Sequence, residues 1–350
     1  MNCRRKACLC ALLCGALFLM LVTHGRQKWP PGLQRLAPAG TRLAARGQTR
    51  NQTRAPPARS RPSARPAPGA PCGCPSCVSE RGRSPWFDQR FDARQLPFLT
   101  AQNGSVPPSA LRWWLALQRS SDAQEPDRVI RKMFRVVSEP PPHEPAVPAR
   151  CRRCAVVGNS GNLRGSHSGP LVDSHDAVIR MNKATTLGFE ADVGNRTTHH
   201  FMYPESAVDL PPGVWLVLLP FKLRDLQWLA SALSTGEIKT TYMRVKERVR
   251  ADKDKVIVVN PAFFKYTHDS WTEHHGRYPS TGMLAIIFAL HICDEVSVFG
   301  YGADPQGNWH HYWEDNKYAG AFRKTGVHNA DFETHIILKL HSEGKIKLHR

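Results

Sequence analysis

From residue 155 onwards, short apolar runs alternate with segments of helical length. The runs are "AVV" at 155, "AVIRMN" at 177, "HHFMY" at 199, "VWLVLLP" at 214, "KVIVV" at 255 and "VSVFGYG" at 296, with "LRDLQWLASALSTG" and "STGMLAIIFALHIC" between them. This alternation predicts an α/β fold of Rossmann-like type, a central, mostly parallel sheet flanked on both faces by helices. Two further helices are expected ahead of the first strand, in "SALRWWLALQ" (109–118) and "DRVIRKMFRVV" (127–137), with "PPPHEPAVPAR" breaking the chain after them. Ligands of such sheets sit beyond the carboxyl ends of the strands.

The turn after the first strand, Gly158 to Gly165 in "CRRCAVVGNSGNLRGS", therefore falls in a binding cleft. Its glycines at 158, 161 and 165 do not make a dinucleotide fingerprint, and no phosphate-binding loop of the nucleotide-hydrolase type is present. Asn159 and Asn162 add side-chain amides able to donate and accept toward a pyrimidine, a ribose or a carboxylate. They also suit left-handed turn geometry with no ligand at all. A second turn, "RYPSTGM" (277–283), opens an apolar helix. Ser280 or Thr281 suits its N-cap, and the helix start can receive an anion or be simply capped.

Charge and cysteine usage bear on the setting. Of the net charge of +19, thirteen basic residues without one acidic residue lie in residues 1–70, leaving +6 on the rest, so no nucleic-acid partner is expected. Ala7 to Thr23 is a run of 17 uncharged residues behind Arg4, Arg5 and Lys6, near the ~20 residues a membrane span requires. A signal peptide is the alternative, but no small-x-small cleavage site follows. The expected organisation is a cytoplasmic tail (1–6), a transmembrane signal-anchor (7–23), a disordered stem rich in Pro, Arg, Ala and Gln (24–71) and a lumenal domain (72–350). Sequons at Asn51, Asn103 and Asn195 agree with that setting. Cys3, Cys8, Cys10 and Cys14 lie in or beside the anchor, and six others, Cys72, Cys74, Cys77, Cys151, Cys154 and Cys293, suggest three disulfides among fifteen connectivities.

The histidines cluster late, at His310 and His311 in "NWHHYWE" and His328 in "GVHNADFE", where one could move a proton near neutral pH. The histidine pairs at 199, 274 and 310 lack the i, i+4 spacing of helical zinc ligands. "DKD" at 252–254 sits in the mixed-charge run "VKERVRADKDKV" and reads as a solvated element end rather than a cation site. No catalytic metal and no cofactor are expected.

Taken together, "CAVVGNSGNL", "IRMNKA" and "DVGNRTTHHF", then "PSTGMLAIIFALHICDEVSVFGYG", "HHYWE" and His328-x4-Glu333 resemble, in order, the four motifs of animal sialyltransferases, glycosyltransferase family 29. "WTEHHGRYPSTGM" and "GNWHHYWE" are most similar to the Gal-β1,3-GalNAc α-2,3-sialyltransferases of types one and two, leaning to type two. The resemblance implies a variant GT-A fold and a Golgi type II membrane protein. It implies metal-independent, inverting transfer from CMP-N-acetylneuraminate to the galactose 3-hydroxyl of Gal-β1,3-GalNAc on glycoproteins and glycolipids, and leaves a homodimer open. It implies His328 as general base, Glu333 orienting its segment, and His311 donating to the departing phosphate beside Ser280, Thr281 and Gly282. Asn159, Asn162 and Asn182 would hold ribose and phosphate, Tyr242 and Gly302 would lie near the cytidine, and Gln118 and Tyr278 would face the acceptor. Tyr203 and Tyr312 are cleft residues without an assigned role. The family pattern pairs Cys154 with Cys293; Cys72, Cys74, Cys77 and Cys151 remain for two bridges near the stem junction, with Cys72 to Cys77 and Cys74 to Cys151 the pairing expected. The competing readings are an α-2,6 or α-2,8 sialyltransferase, an inactive lumenal glycan binder, and a nucleotide-binding oxidoreductase, the last disfavoured by the missing fingerprint.

Overall fold

The computed structural model describes residues 71–101, 106–117, 126–141, 147, 149–304, 306–315 and 326–350. The expected anchor, nearly all of the stem, Gln118, Asn51 and Asn103 lie outside them. Among the described residues no helix is long and apolar enough to cross a membrane.

Seven strands form one sheet: β1 Arg153–Val157, β2 Ala177–Met181, β3 His199–Met202, β4 Trp215–Leu218, β5 Val256–Val258, β6 Glu295–Phe299 and β7 Lys347–His349. Their order is β5-β4-β3-β2-β1-β6-β7, and every neighbouring pair is parallel. From β1 the chain steps outward through β2 to β5, then returns to place β6 on the other side of β1. The direction of winding thus reverses between β1 and β6, which opens a crevice beyond their carboxyl ends. The turns that follow those two strands meet there.

Alternation along β1 explains why both faces need cover. Cys154 and Val156 pack into the core that holds the Thr281–Ile292 helix, while Ala155 and Val157 pack with Leu163, Val172 and Phe299 on the opposite face. The Thr281–Ile292 helix is buried from Met283 through His291, which accounts for its being apolar all round. Farther out, the Leu223–Ala232 helix covers β4 and β5 with Leu226, Trp228 and Leu229, joined by Trp114 of the Pro108–Leu117 helix.

Two departures from expectation concern element ends. The helix expected over 127–137 spans Pro126–Met133. Val136 and Val137 both donate to the Met133 carbonyl, so the chain tightens after the helix and Val137 turns into the core. The Ala330–Ser342 helix and β7 have no counterpart among the expected elements. The helix mixes polar residues through its apolar positions, and β7 is a three-residue strand at the sheet's edge. The "DKD" run lies in the turn leading into β5, where the Asp252 carboxylate accepts from the Asp254 backbone N–H and the Asp254 carboxylate from the Ser138 hydroxyl, at the amino ends of the strands and away from the crevice.

Three disulfides join Cys72 to Cys77 and Cys74 to Cys151, the pairing expected of those four, and Cys154 to Cys293, the pair that the family resemblance implies. The first two gather the chain ahead of β1 into a buried knot. The third ties β1 to the end of the Thr281–Ile292 helix.

Candidate active site

The floor of the crevice is a close approach between two backbones. Gly158 N–H donates to Phe299 and Ser160 N–H to Gly300, so the turn after β1 rests on the turn after β6. A Cβ on Gly158 would lie 2.3 Å from the Gly300 carbonyl oxygen, and Gly300 itself sits at φ +67. Both positions therefore require glycine. Above this floor lies a cavity of about 340 Å³ lined by Asn159, Asn182, Tyr203, Ser280, Thr281, Gly282, Gly302, His311 and His328 among others. A neighbouring cavity of about 370 Å³ shares Tyr301 and Gly302 and adds Asn162.

The asparagines are held so that their oxygens stay unspent. Asn159 Nδ2 donates to the Met181 carbonyl and Asn162 Nδ2 to that of Tyr301. Among the described residues the Oδ1 atoms of Asn159, Asn162 and Asn182 are buried without a hydrogen-bond partner. Orphaned acceptors of this kind cost stability unless a ligand meets them. The left-handed-turn explanation applies to Asn182, at φ +59, and not to Asn159 or Asn162.

Ser280 caps the Thr281–Ile292 helix, its Oγ accepting from Met283 N–H at 3.1 Å. Its own N–H and hydroxyl both donate to Glu333, at 2.7 and 2.5 Å. Ser280 is thus committed to holding the turn, and the first-turn N–H groups of Thr281 and Gly282, which have no carbonyl to meet within the helix, are the donors turned toward an anion. Burial pushes the Glu333 carboxyl up to about 7, with the Ser280 hydrogen bonds opposing the rise. A carboxyl raised above its ordinary 4.5 stabilises the fold fully below that value and loses its contribution as pH climbs through about 7. Glu333→Gln, which does not titrate, is accordingly expected to gain on the wild type by on the order of 1–3 kcal/mol between pH 5 and pH 8. Denaturant unfolding at the two pH values measures this, and a difference independent of pH would contradict it.

His328 precedes the Ala330–Ser342 helix, whose N-cap is Asn329. Its Nδ1 lies 2.9 Å from the Tyr278 carbonyl oxygen, and the Tyr278 ring meets the imidazole edge-on at 5.1 Å. A carbonyl only accepts, so Nδ1 carries the proton and Nε2 carries the lone pair. Burial lowers the pKa of His328, with the Tyr278 hydrogen bond opposing, and so favours this neutral form. His311 is set differently. Its Nδ1 lies 2.9 Å from Glu314 Oε1 and its ring stacks on Trp313 at 4.5 Å, two contacts that fix the orientation of the imidazole. A strand-like bridge between Ser160 and His311 brings it to the turn after β1.

Several residues stand elsewhere than in the cavity wall. Tyr242 is 66% exposed and lies over the Lys222 ammonium, beside the buried Lys222–Glu205 and Lys222–Asp225 ion pairs. Tyr278 contributes its carbonyl to His328 while its ring packs on Phe221. Tyr312 is a buried prop, its hydroxyl donating to the Thr185 carbonyl. Asn195 is exposed, as a glycan acceptor must be. Two residues without an expected role prove central. Tyr301 fills the space a side chain would need at Gly158 or Gly282 and donates to the Gly282 carbonyl, and Glu314 partners His311. The glycines on either side of Tyr301 and the spacing of "HHYWE" were the available signals.

The sequence model of glycosyltransferase family 29 (sialyltransferase) matches residues 98–345. The mouse CMP-N-acetylneuraminate-beta-galactosamide-alpha-2,3-sialyltransferase 2 is 58% identical over 282 residues, 81% of this chain and 81% of its own. The human CMP-N-acetylneuraminate-beta-galactosamide-alpha-2,3-sialyltransferase 1 is 53% identical over 281 residues, 79% of this chain and 82% of its own. A crystal structure of a mammalian sialyltransferase in complex with Gal-beta-1-3GalNAc-ortho-nitrophenol superposes with a TM-score of 0.74 at 48% identity, covering 79% of this chain and 98% of that one.

Proposed function

The chain belongs to glycosyltransferase family 29, the sialyltransferases, and from that premise we propose that it moves sialic acid from CMP-N-acetylneuraminate to the 3-hydroxyl of galactose in Gal-β1,3-GalNAc on glycoproteins and glycolipids. The observation that carries the reading is the tautomer of His328, a neutral imidazole with its lone pair at Nε2 in the wall of a cavity that also presents Thr281, Gly282 and His311. Nε2 takes the proton of the galactose 3-hydroxyl as its oxygen bonds to the anomeric carbon. The bond from that carbon to the phosphate oxygen breaks on the opposite face, the electron pair leaves with CMP, and the configuration inverts.

The donor carries a single phosphodiester, from which CMP departs as a phosphate monoester, and protein donors suffice for its developing charge. The His311 imidazole and the N–H groups of Thr281 and Gly282 supply them, while Glu314 orients the His311 ring. The orphaned oxygens of Asn159, Asn162 and Asn182 suit ribose hydroxyl or cytosine amino donors, and no metal is assigned a part. His311→Ala is expected to lower kcat by about 10²–10³-fold with little change in the acceptor KM. Steady-state kinetics in both substrates measure this, and a pure acceptor-binding defect would remove His311 from the phosphate.

Residues 1–6, 7–23 and 24–71 are proposed as tail, anchor and stem of a single-pass type II Golgi protein with residues 72–350 lumenal; the basic flank of the apolar run and the three disulfides of the described domain favour an oxidising compartment. The test of the function is incubation of the full chain with labelled CMP-N-acetylneuraminate and a panel of acceptors in the presence of EDTA. Transfer to Gal-β1,3-GalNAc in preference to Gal-β1,4-GlcNAc is expected. Binding of CMP without transfer to any acceptor would leave a glycan binder instead.

A further inference from the structure

Outside the lining of the cavity, a tight turn gathers three groups to which the proposed transfer assigns no part. His268 and Asp269 lie in a single π-helical turn, Thr267–Trp271, that continues the Pro261–Tyr266 helix. The chain then folds back, with His274 N–H donating to the His268 carbonyl and with Glu273 and His274 at φ +47 and +63. The result brings His274 onto residues five and six positions earlier, a contact no helical spacing in the sequence could signal.

The distances are those of a coordination shell. Asp269 Oδ1 lies 3.4 Å from His268 Nδ1 and 3.5 Å from His274 Nδ1, and the three ligand atoms all lie within 4.8 Å of one another. A tetrahedron whose metal-to-ligand bonds are ~2.0–2.2 Å has edges of about 3.4 Å. The outer contacts fit as well. His268 Nε2 lies 3.3 Å from the Gly276 carbonyl oxygen, to which it can donate, while Nδ1 is the nitrogen on the side of Asp269 and His274. A ligating histidine commonly donates its other N–H to a carbonyl in this way. The second oxygen of Asp269 is engaged by Lys265, which fixes the carboxylate with Oδ1 inward. His268 is buried against Trp113, whereas His274 is exposed, so one side of the shell remains open to a water ligand.

We propose that His268, Asp269 and His274 form a binding site for a zinc-class divalent cation, distinct from the transfer site and outside its chemistry. Two imidazoles and one carboxylate favour zinc, nickel or copper over magnesium or calcium. The ion staples the turn to the segment it supports, because Gly276 packs against His328 and Arg277 N–H donates to the Val327 carbonyl.

The test uses the untagged full chain in detergent, stripped with chelator, and reads zinc by titration calorimetry and by the thermal midpoint. Wild type is expected to bind one zinc ion and to melt higher with it, since an ion bound only by the folded form stabilises that form. His274→Ala, at an exposed position, and the isosteric Asp269→Asn are expected to weaken zinc binding by more than ~10-fold and to lose the shift in midpoint. His335→Ala, an exposed histidine elsewhere, is expected to behave as wild type. Absence of zinc binding by wild type, zinc affinity unchanged in both site variants, or equal competition by magnesium would overturn the proposal. The readouts are binding and stability, so they are independent of whether the chain transfers sialic acid.

Discussion

Replacing His328 with alanine is expected to lower kcat by about 10²–10⁴-fold, the usual worth of a positioned general base, while CMP affinity changes by less than about twofold. The asymmetry follows from position. In the proposed reaction His328 is assigned to the acceptor hydroxyl, and the asparagines after β1 and β2 and the start of the Thr281–Ile292 helix to the donor. The pH dependence carries the same information. A base must be neutral, and burial lowers the His328 pKa, so the wild-type kcat/KM is expected to fall with acid only below the ordinary histidine value of 6.5. The residual rate of His328→Ala should lack that limb. Calorimetry with CMP and a pH–rate series on both proteins measure the two effects, and full turnover by the variant would exclude His328 as the base.

The second large effect concerns stability at the far end of β1. Cys154 and Cys293 close a loop of 139 positions, tying β1 to the buried helix whose first turn is proposed to meet the leaving group. Cys293→Ala is expected to cost about 2–5 kcal/mol, a fall in midpoint of roughly 5–15 °C for a domain of this size. It also leaves the Cys154 thiol wholly buried. The bridge lies at the amino ends of β1 and β6 and the donor turn at their carboxyl ends, so molecules that remain folded should keep a near wild-type donor KM. Thermal unfolding followed by kinetics below the midpoint checks both parts. An unchanged midpoint would show that packing of the Thr281–Ile292 helix alone holds the two elements together.

What the sequence discloses about this molecule depends on how local each cause is. Six of the seven strands are legible because burial on both faces leaves them as apolar runs, and the Thr281–Ile292 helix is legible for the same reason. β7 escapes because three residues at a sheet edge need no apolar run. The turn after β1 announces itself by its glycines, yet what demands glycine at 158 is the Gly300 carbonyl, 142 positions along the chain. Ser280 reads equally as an anion contact or a cap, and only the approach of Glu333 from the C-terminal helix shows that its donors are spent on the fold. The tautomer of His328 is set by a backbone carbonyl at Tyr278, an interaction that no side-chain pattern encodes. Motifs thus mark which residues gather, while the protonation state and direction of each group come from backbone contacts between distant segments.

The most direct measurement is the linkage formed. The full chain would be incubated with CMP-N-acetylneuraminate and Gal-β1,3-GalNAc, and the product bond assigned by nuclear magnetic resonance, with His328→Ala as the parallel sample. Sialic acid in α-linkage to the galactose 3-oxygen, formed by wild type and nearly absent with the variant, is the result expected of His328 as the base for that hydroxyl. Attachment at another oxygen, or equal product from the variant, would contradict it.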